Sequence, residues 1–398
     1  MKFRNYLAKF HEIWHLNAMY KRSLPLLDII KRKSIFLFGA RQTGKSTLLR
    51  TLFPEAKYYD LLEADTFREL NTHPELIRQR LVDNDKIIII DEVQKLPSLL
   101  DEVHLLIERN KELRFILTGS SARKLHRKGI NLLAGRAWRY NLFPLTSFEV
   151  GIDRVFELIS KGGLPTVLDS PFPKREINEY VGSYLADEIK AEGLTRSVEN
   201  FSRFLVTAAA CNNEQLNFTS IANDAQVPSR TVREYFQILE DTLIGSTLKP
   251  FQKTVKRKPV ATAKFYFFDV GVANCLAKRL EFEKGSESYG KALEHFIFTE
   301  LKSYISYKEK DLSLTYWRSQ SQLEVDFVIG DNIGIEVKSK MHISPQDCKG
   351  LIALNEEVTL KHKIIVCNEK EARRLENGIQ ILPVEAFLKM LWNDEIIQ

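Results

Sequence analysis

The run Ser34-Ile-Phe-Leu-Phe38, Gly39-Ala-Arg-Gln-Thr-Gly44-Lys45-Ser46, Thr47-Leu-Leu-Arg-Thr-Leu-Phe53 decides the fold of the first third of the chain. An apolar strand, a loop of the form GxxxxGK[ST] and a helical stretch stand in the order a phosphate-binding loop requires. Glycines let the loop curl so that backbone N–H groups surround phosphate, and the helix N-terminus adds positive potential. Lys45 is then placed to reach the β- and γ-phosphates, and the Ser46 hydroxyl to bind Mg²⁺. The expected nucleotide site is Gly39, Gln42, Thr43, Gly44, Lys45, Ser46 and Thr47, with ATP and Mg²⁺ as its ligands.

Working outward, Ile87–Ile90 is apolar on both faces, as a central parallel strand must be. It delivers Asp91-Glu92 at its C-terminal end, where open α/β sheets bind ligands. Asp91 can hold Mg²⁺ through water, and Glu92 can orient or deprotonate the attacking water. Further strands are predicted at Ser34–Phe38, Tyr58–Leu61, Phe115–Thr118 and Trp138–Leu142, alternating with helical patterns. The fold class is therefore α/β, a parallel sheet with helices on both faces.

The runs FLFGARQTGKSTLL, IIIIDEVQKLP, FILTGSSARKL, LLAGRAWRYNLFPLTSFE and GGLP resemble the AAA-type P-loop ATPases whose C-terminal region is a conserved domain of unknown function (DUF4143-like). The resemblance covers nearly the whole chain. It implies an AAA+ core, ring-like homo-oligomers such as hexamers, and a sensor position at Thr118 and Ser120. Arg136 resembles an arginine that completes a site, its own or a neighbour's. No second sensor arginine is readable.

At 398 residues the chain exceeds one ordinary domain. The pattern divides it into an ATPase core (1–150), a helical lid (151–198), a winged-helix-like module (199–258) and a mixed α/β domain (259–398). With 44% hydrophobic and 28% charged residues it reads as globular. There is no apolar run long enough for a membrane span, no signal-peptide pattern at the N-terminus, and Cys211, Cys275, Cys348 and Cys367 are scattered. Those features fit the cytoplasm.

The net charge of +6 is unevenly spread. Six basic residues and no acidic one lie in the span from Lys249 to Lys264, and a second run holds Arg123, Lys124, Arg127, Lys128, Arg136 and Arg139. Such patches attract polyanions, and are equally at home as solvated loops. In the middle of the chain, Thr219 can cap a helix and Pro228-Ser229 starts another, with Val232, Tyr235, Phe236 and Leu239 buried. Arg230, Arg233 and Gln237 share its opposite face, LIGSTLKPF reads as a hairpin wing, and Lys253, Lys256, Arg257 and Lys258 follow. This pattern suits a helix laid in a DNA groove, or an interaction module packed on the core.

The C-terminal constellation is Glu294, Asp326, Glu336 and Lys338. Glu294 lies within an apolar helical stripe, where a carboxylate is costly without a partner. Strands LEVDFVIG and IGIEVKSK are joined near Gly330–Asn332. A two-residue loop would set Asp326 and Glu336 on opposite faces; a three-residue loop pairs them directly. Paired, Asp326 and Glu336 offer a hard-oxygen Mg²⁺ site, with Glu294 as a further ligand and Lys338 to position water or stabilise charge. This looks like the PD-(D/E)xK nuclease core and implies a restriction-endonuclease-like fold that binds DNA, with or without cutting it. The reading from a different class is a nucleotide-switched signalling or scaffold ATPase whose C-terminal modules bind a protein.

Overall fold

A computed structural model describes residues 20–121, 132–184, 197–254, 256–280 and 282–397. The N-terminal basic stretch and Arg123, Lys124, Arg127 and Lys128 lie outside the described residues. The first sheet holds β1 (Ser34–Phe38), β2 (Lys57–Asp60), β3 (Ile87–Asp91), β4 (Arg114–Gly119) and β5 (Ala137–Asn141). Their order is β2-β3-β4-β1-β5 and every pairing is parallel. All five strands stand within a residue or two of the positions their apolar runs predict.

Alternation along these strands feeds two separate cores. Phe36, Ile88, Ile90, Phe115 and Leu117 pack into a cluster on one face with Leu99, Val103 and Leu106 of a covering helix. Ile35, Leu37, Ile89 and Ile116 point into the other, which runs on without a break to Leu293, Phe296, Ile297 and Leu301 near the far end of the chain. Each such fully buried side chain is worth about 1.5–3 kcal/mol. The C-terminal domain thus shares a core with the sheet that carries the phosphate loop, and meets its edge where Tyr140 OH of β5 donates to Glu309 Oε1 at 2.6 Å.

The GGLP motif has a physical cause. Gly162 adopts φ +83°, and a Cβ there would come 2.2 Å from Asp269 Oδ1. The Gly163 N–H donates to Asp269 Oδ2 at 2.7 Å, while Asp269 Oδ1 accepts from Val272 N and caps the helix Val270–Leu276. Burial nonetheless pushes the Asp269 carboxyl up to about 6, against the lowering effect of these backbone donors.

The helical middle contains α1 (Val198–Ala210), α2 (Phe218–Ala225) and α3 (Ser229–Asp241). Val232, Tyr235, Phe236 and Leu239 are buried, as expected. Two details differ from the sequence reading. Asn217, not Thr219, caps α2, its side chain accepting from the backbone of Thr219 and Ser220. LIGSTLKPF supplies only one hairpin strand, β6 (Gly245–Leu248), whose antiparallel partner is β7 (Lys264–Phe267). The reason is burial: Phe265, Tyr266 and Phe267 are almost wholly excluded from solvent. The strand pair is a core element, not an exposed wing.

The second sheet has the order β12-β13-β11-β10-β9-β8, comprising β8 (Leu314–Arg318), β9 (Glu324–Ile329), β10 (Ile333–Val337), β11 (His362–Cys367), β12 (Arg373–Arg374) and β13 (Gln380–Pro383). The helix α4 (Glu287–Tyr307) lies against it and bridges to the first domain. On α4, His295 is buried between Phe267 O, 2.7 Å from Nε2, and the Asn212 amide, 3.1 Å from Nδ1. One neutral tautomer satisfies both, and burial lowers its pKa from 6.5 to about 4. The unfolded chain therefore takes up this proton first, and stability is lost as pH falls through that window. We expect wild type to lose about 3 kcal/mol more than His295→Gln between pH 6.5 and 4, measured by urea denaturation.

Candidate nucleotide site and acidic centre

The loop after β1 wraps as its glycines predict. Gln42 and Gly44 take φ of 60° and 90°, and Gly44 caps the helix Lys45–Leu52. A Cβ on Gly39 would lie 2.5 Å from Leu142 O, so the close approach to the segment leaving β5 requires glycine there. Thr43 Oγ1 donates to Ala40 O at 2.8 Å, and Lys45 Nζ donates to Gly39 O at 2.7 Å and to Ala40 O at 3.1 Å.

At the adjoining strand end, Ser46 Oγ donates to Asp91 Oδ2 at 2.6 Å. The hydroxyls of Thr118 and Tyr58 also donate to Asp91, which is 2% exposed. Glu92 has φ 59°, and its N–H donates to Thr118 Oγ1 at 3.2 Å. The Gln94 amide donates both to the Glu92 carboxylate and to Ser120 Oγ, the latter at 3.2 Å. The expected pair Asp91–Glu92 and the residues Thr118 and Ser120, where a sensor was expected, thus meet in one hydrogen-bonded group beside the phosphate loop. That donor set fits Mg²⁺, which takes few protein ligands and completes its shell with water and phosphate.

Three contributors escaped the sequence reading: Tyr58, Gln94 and Arg22. Arg22 is inserted beneath the loop, donating to Thr43 O at 2.8 Å, Phe143 O at 2.5 Å and Tyr307 OH at 3.2 Å. It also pairs with Glu149 at 3.1 Å, the two side chains being 5% and 0% exposed. Nothing in the pattern around Arg22 marks it, because its partners, two backbone carbonyls and two side chains, come from distant segments. Beside it, a cavity of about 500 Å³ is lined by residues including Tyr20, Gly44, Thr47, Leu145 and Pro165. Thr47 therefore faces space next to the loop that can take the rest of a nucleotide.

Arg136 is placed differently from the expectation for its own site. β5 runs parallel to β1, with Ala137 beside Ser34 and Asn141 beside Phe38. Arg136 therefore stands at the opposite end of the strands from the phosphate loop, where it pairs with Glu108. Replacing Arg22 by Met strands the buried Glu149 charge, with an expected cost on the order of 3 kcal/mol in chemical denaturation. The same change frees the Thr43 carbonyl and should weaken nucleotide binding roughly tenfold by calorimetry.

In the C-terminal domain the loop between β9 and β10 spans Gly330–Asn332, the odd-numbered turn that the paired-carboxylate reading needs. Ile329 pairs with Ile333 and Phe327 with Ile335, so the next step sets Asp326 opposite Glu336. Asp326 Oδ2 accepts from Val337 N at 2.8 Å, and Lys338 Nζ pairs with Glu336. Glu294 reaches the same place from α4, accepting from Tyr266 OH at 2.7 Å and from the Asn213 amide at 3.1 Å. Burial, reinforced by Glu336 and Glu294, pushes the Asp326 carboxyl far above its usual range. Burial also raises Glu336, against the pull of Lys338.

The residue not foreseen here is Lys264, read in the sequence as part of a basic run. Its Nζ lies 2.6 Å from Glu324, 3.2 Å from Glu294 and 3.9 Å from Asp326, and the side chain is 5% exposed. Among the described residues no group of three His, Cys, Asp or Glu is disposed to hold a metal. As arranged, the centre holds an ammonium and does not fit a divalent ion.

The candidate DNA contacts are partly engaged within the chain. Arg230 pairs with Glu234, Lys253 with Asp331 at 2.6 Å, and Arg257 with Glu356 at 2.6 Å and Glu357 at 2.9 Å. Arg233 is exposed and stacked 4.3 Å over the Phe218 ring, and Lys256 and Lys258 are exposed.

The sheet order and the Lys45, Ser46, Asp91 geometry define an AAA-type P-loop fold. Residues 31–151 match the family model described as an AAA domain, residues 152–283 a domain of unknown function (DUF8612), and residues 289–387 a domain of unknown function (DUF4143). The chain is 24% identical over 376 residues to an uncharacterized protein of Mycobacterium tuberculosis, covering 91% of this chain and 82% of that one. An uncharacterized protein of Methanocaldococcus jannaschii is 22% identical, covering 91% and 85%. Among solved structures, the Aeropyrum pernix ORC1 protein in complex with DNA is 15% identical, with 64% of this chain and 88% of that one covered and a TM-score of 0.27. A signal transduction ATPase with a tetratricopeptide repeat sensor from Pyrococcus horikoshii is 14% identical, covering 74% and 48%, with a TM-score of 0.25. These superpositions are too loose to carry the fold, which rests on the strand order and the phosphate loop. Among the described residues no helix is long and apolar enough to cross a membrane.

Proposed function

We propose that this protein binds and hydrolyses ATP with Mg²⁺ and uses the cycle to act on DNA, working as a homo-oligomer. The observation that carries the ATPase reading is Asp91, held by the Ser46 hydroxyl at 2.6 Å with Glu92 beside it. In that arrangement Lys45 and the loop N–H groups would bind phosphate, Ser46 and Asp91 would hold the ion, and Glu92 would position the attacking water. Gln94, fixed to Ser120, orients the Glu92 carboxylate. Bound Mg²⁺ supplies charge neutralisation on the phosphates.

Action on DNA is supported by the exposed Arg233 on α3, by the exposed Lys256 and Lys258 beside the C-terminal domain, and by the element order of that domain. That order sets Glu294 on a helix and Asp326 and Glu336 on two neighbouring strands after it, in keeping with the nuclease-like reading. A second reading, a nucleotide-switched scaffold, draws support from the ion pairs that already engage Arg230, Lys253 and Arg257.

We expect Lys45→Ala to abolish ATP hydrolysis in a folded protein, and duplex DNA to raise the wild-type rate. An ATPase rate indifferent to DNA would favour the scaffold. Removing Arg233, Lys256 and Lys258 together should lower DNA affinity. It should also flatten the dependence of log affinity on log salt, by about one unit for each phosphate no longer neutralised.

A further inference from the structure

We propose that Lys264 is the resident cation of the C-terminal acidic centre, holding the place a divalent metal would take and keeping the centre closed to metal while β7 stays docked. The inference rests on the reading of Glu294, Asp326 and Glu336 as a metal-capable set.

Carboxylates taken out of water need compensation, and here Glu294, Glu324, Asp326 and Glu336 converge, the last two buried and the first two half-buried. They are met by Lys264, Lys338 and Arg318, the last 3.1 Å from Glu324. Lys264 touches the largest share, within 3.9 Å of three carboxylates from α4 and β9. A hard divalent ion would need oxygen atoms at about 2.0–2.6 Å. It cannot share that space with an ammonium, which both fills it and repels the ion.

An independent observation points to unused ligand capacity. Glu336 Oε2 is buried and has no hydrogen-bond partner, in a residue only 6% exposed. An orphaned buried carboxylate oxygen is costly, and a cation nearby is what would satisfy it. Lys338 engages the other oxygen, and Lys264 lies on the side of Glu324 and Asp326.

The lysine does not belong to the sheet whose charges it meets. It opens β7, whose Phe265 and Phe267 are locked into the helical core with α1 and α3. Its strand partner is Leu248 of β6, which follows α3. The cation at the acidic centre is therefore supplied by a strand pair of the neighbouring module, and its position depends on how that pair is docked.

The test is Mn²⁺ titration by calorimetry without nucleotide, on full-length wild type, Asp326→Asn, Lys264→Met and Lys264→Met with Asp326→Asn. We expect no Asp326-dependent binding in wild type, and a site at least tenfold tighter in Lys264→Met that the double variant loses. Lys264→Gln, which keeps hydrogen bonding to Glu324 and removes only the charge, should behave like Lys264→Met. Equal Asp326-dependent binding in wild type and Lys264→Met would overturn the proposal. So would the lack of any gain in a lysine variant with wild-type circular dichroism. Hydrolysis of ATP and affinity for DNA, measured on the same samples, report separately on the proposed function.

Discussion

A carboxylate can be buried only if its lone pairs are met, and Asp91 imposes that condition on the nucleotide site. Its hydrogen bonds come from Ser46 after the loop, Thr118 at the end of β4 and Tyr58 in β2. Three segments far apart in sequence must therefore end at one level of the sheet. Parallel pairing with β3 between β2 and β4 is what puts them there. Once that level is set, Glu92, Gln94 and Ser120 fall into line beside it, and the phosphate loop has a fixed floor.

The same sheet determines where the rest of the chain can pack. Its second face is apolar and joins one continuous core with Leu26, Ile29 and Leu49 of the flanking helices and with Leu293, Phe296, Ile297 and Leu301 of α4. Polar ties pin the contact: Glu300 accepts from Ser147 N at 2.7 Å and from Trp392 Nε1 at 2.7 Å, and Tyr307 OH accepts from Phe143 N at 3.0 Å. Arg22 joins this seam to the phosphate loop. The nucleotide site and the C-terminal domain thus share a wall, not merely a linker.

The local parts were legible because local rules govern them. Strand ends at Phe38 and Asp91 follow from apolar runs and the loop from its glycines, whereas the Asp326–Glu336 pairing hung on a loop length that the sequence left open between two and three residues. What escaped is long-range. Lys264 belongs to a basic run when charges alone are counted, yet the apolar Phe265, Tyr266 and Phe267 beside it carry it inward. Aromatic burial outranks charge counting there. Arg22 binds two carbonyls and two side chains more than twenty to nearly three hundred positions away, and such long-range partners leave no mark in a sequence. The strand that opens at Lys264 is separated from its partner residue Leu248 by a long connection, so no turn rule pairs the two.

One small contact has a mechanical meaning. Ser121 Oγ, just past the end of β4, donates to Asp241 O, the last residue of α3, at 3.1 Å. α3 has 13 residues, so at about 1.5 Å per residue it is about 20 Å long. Because Val232, Tyr235, Phe236 and Leu239 bury the rest of the helix in the helical core, a shift of the strand end beside Asp91 would be passed to that module as one body.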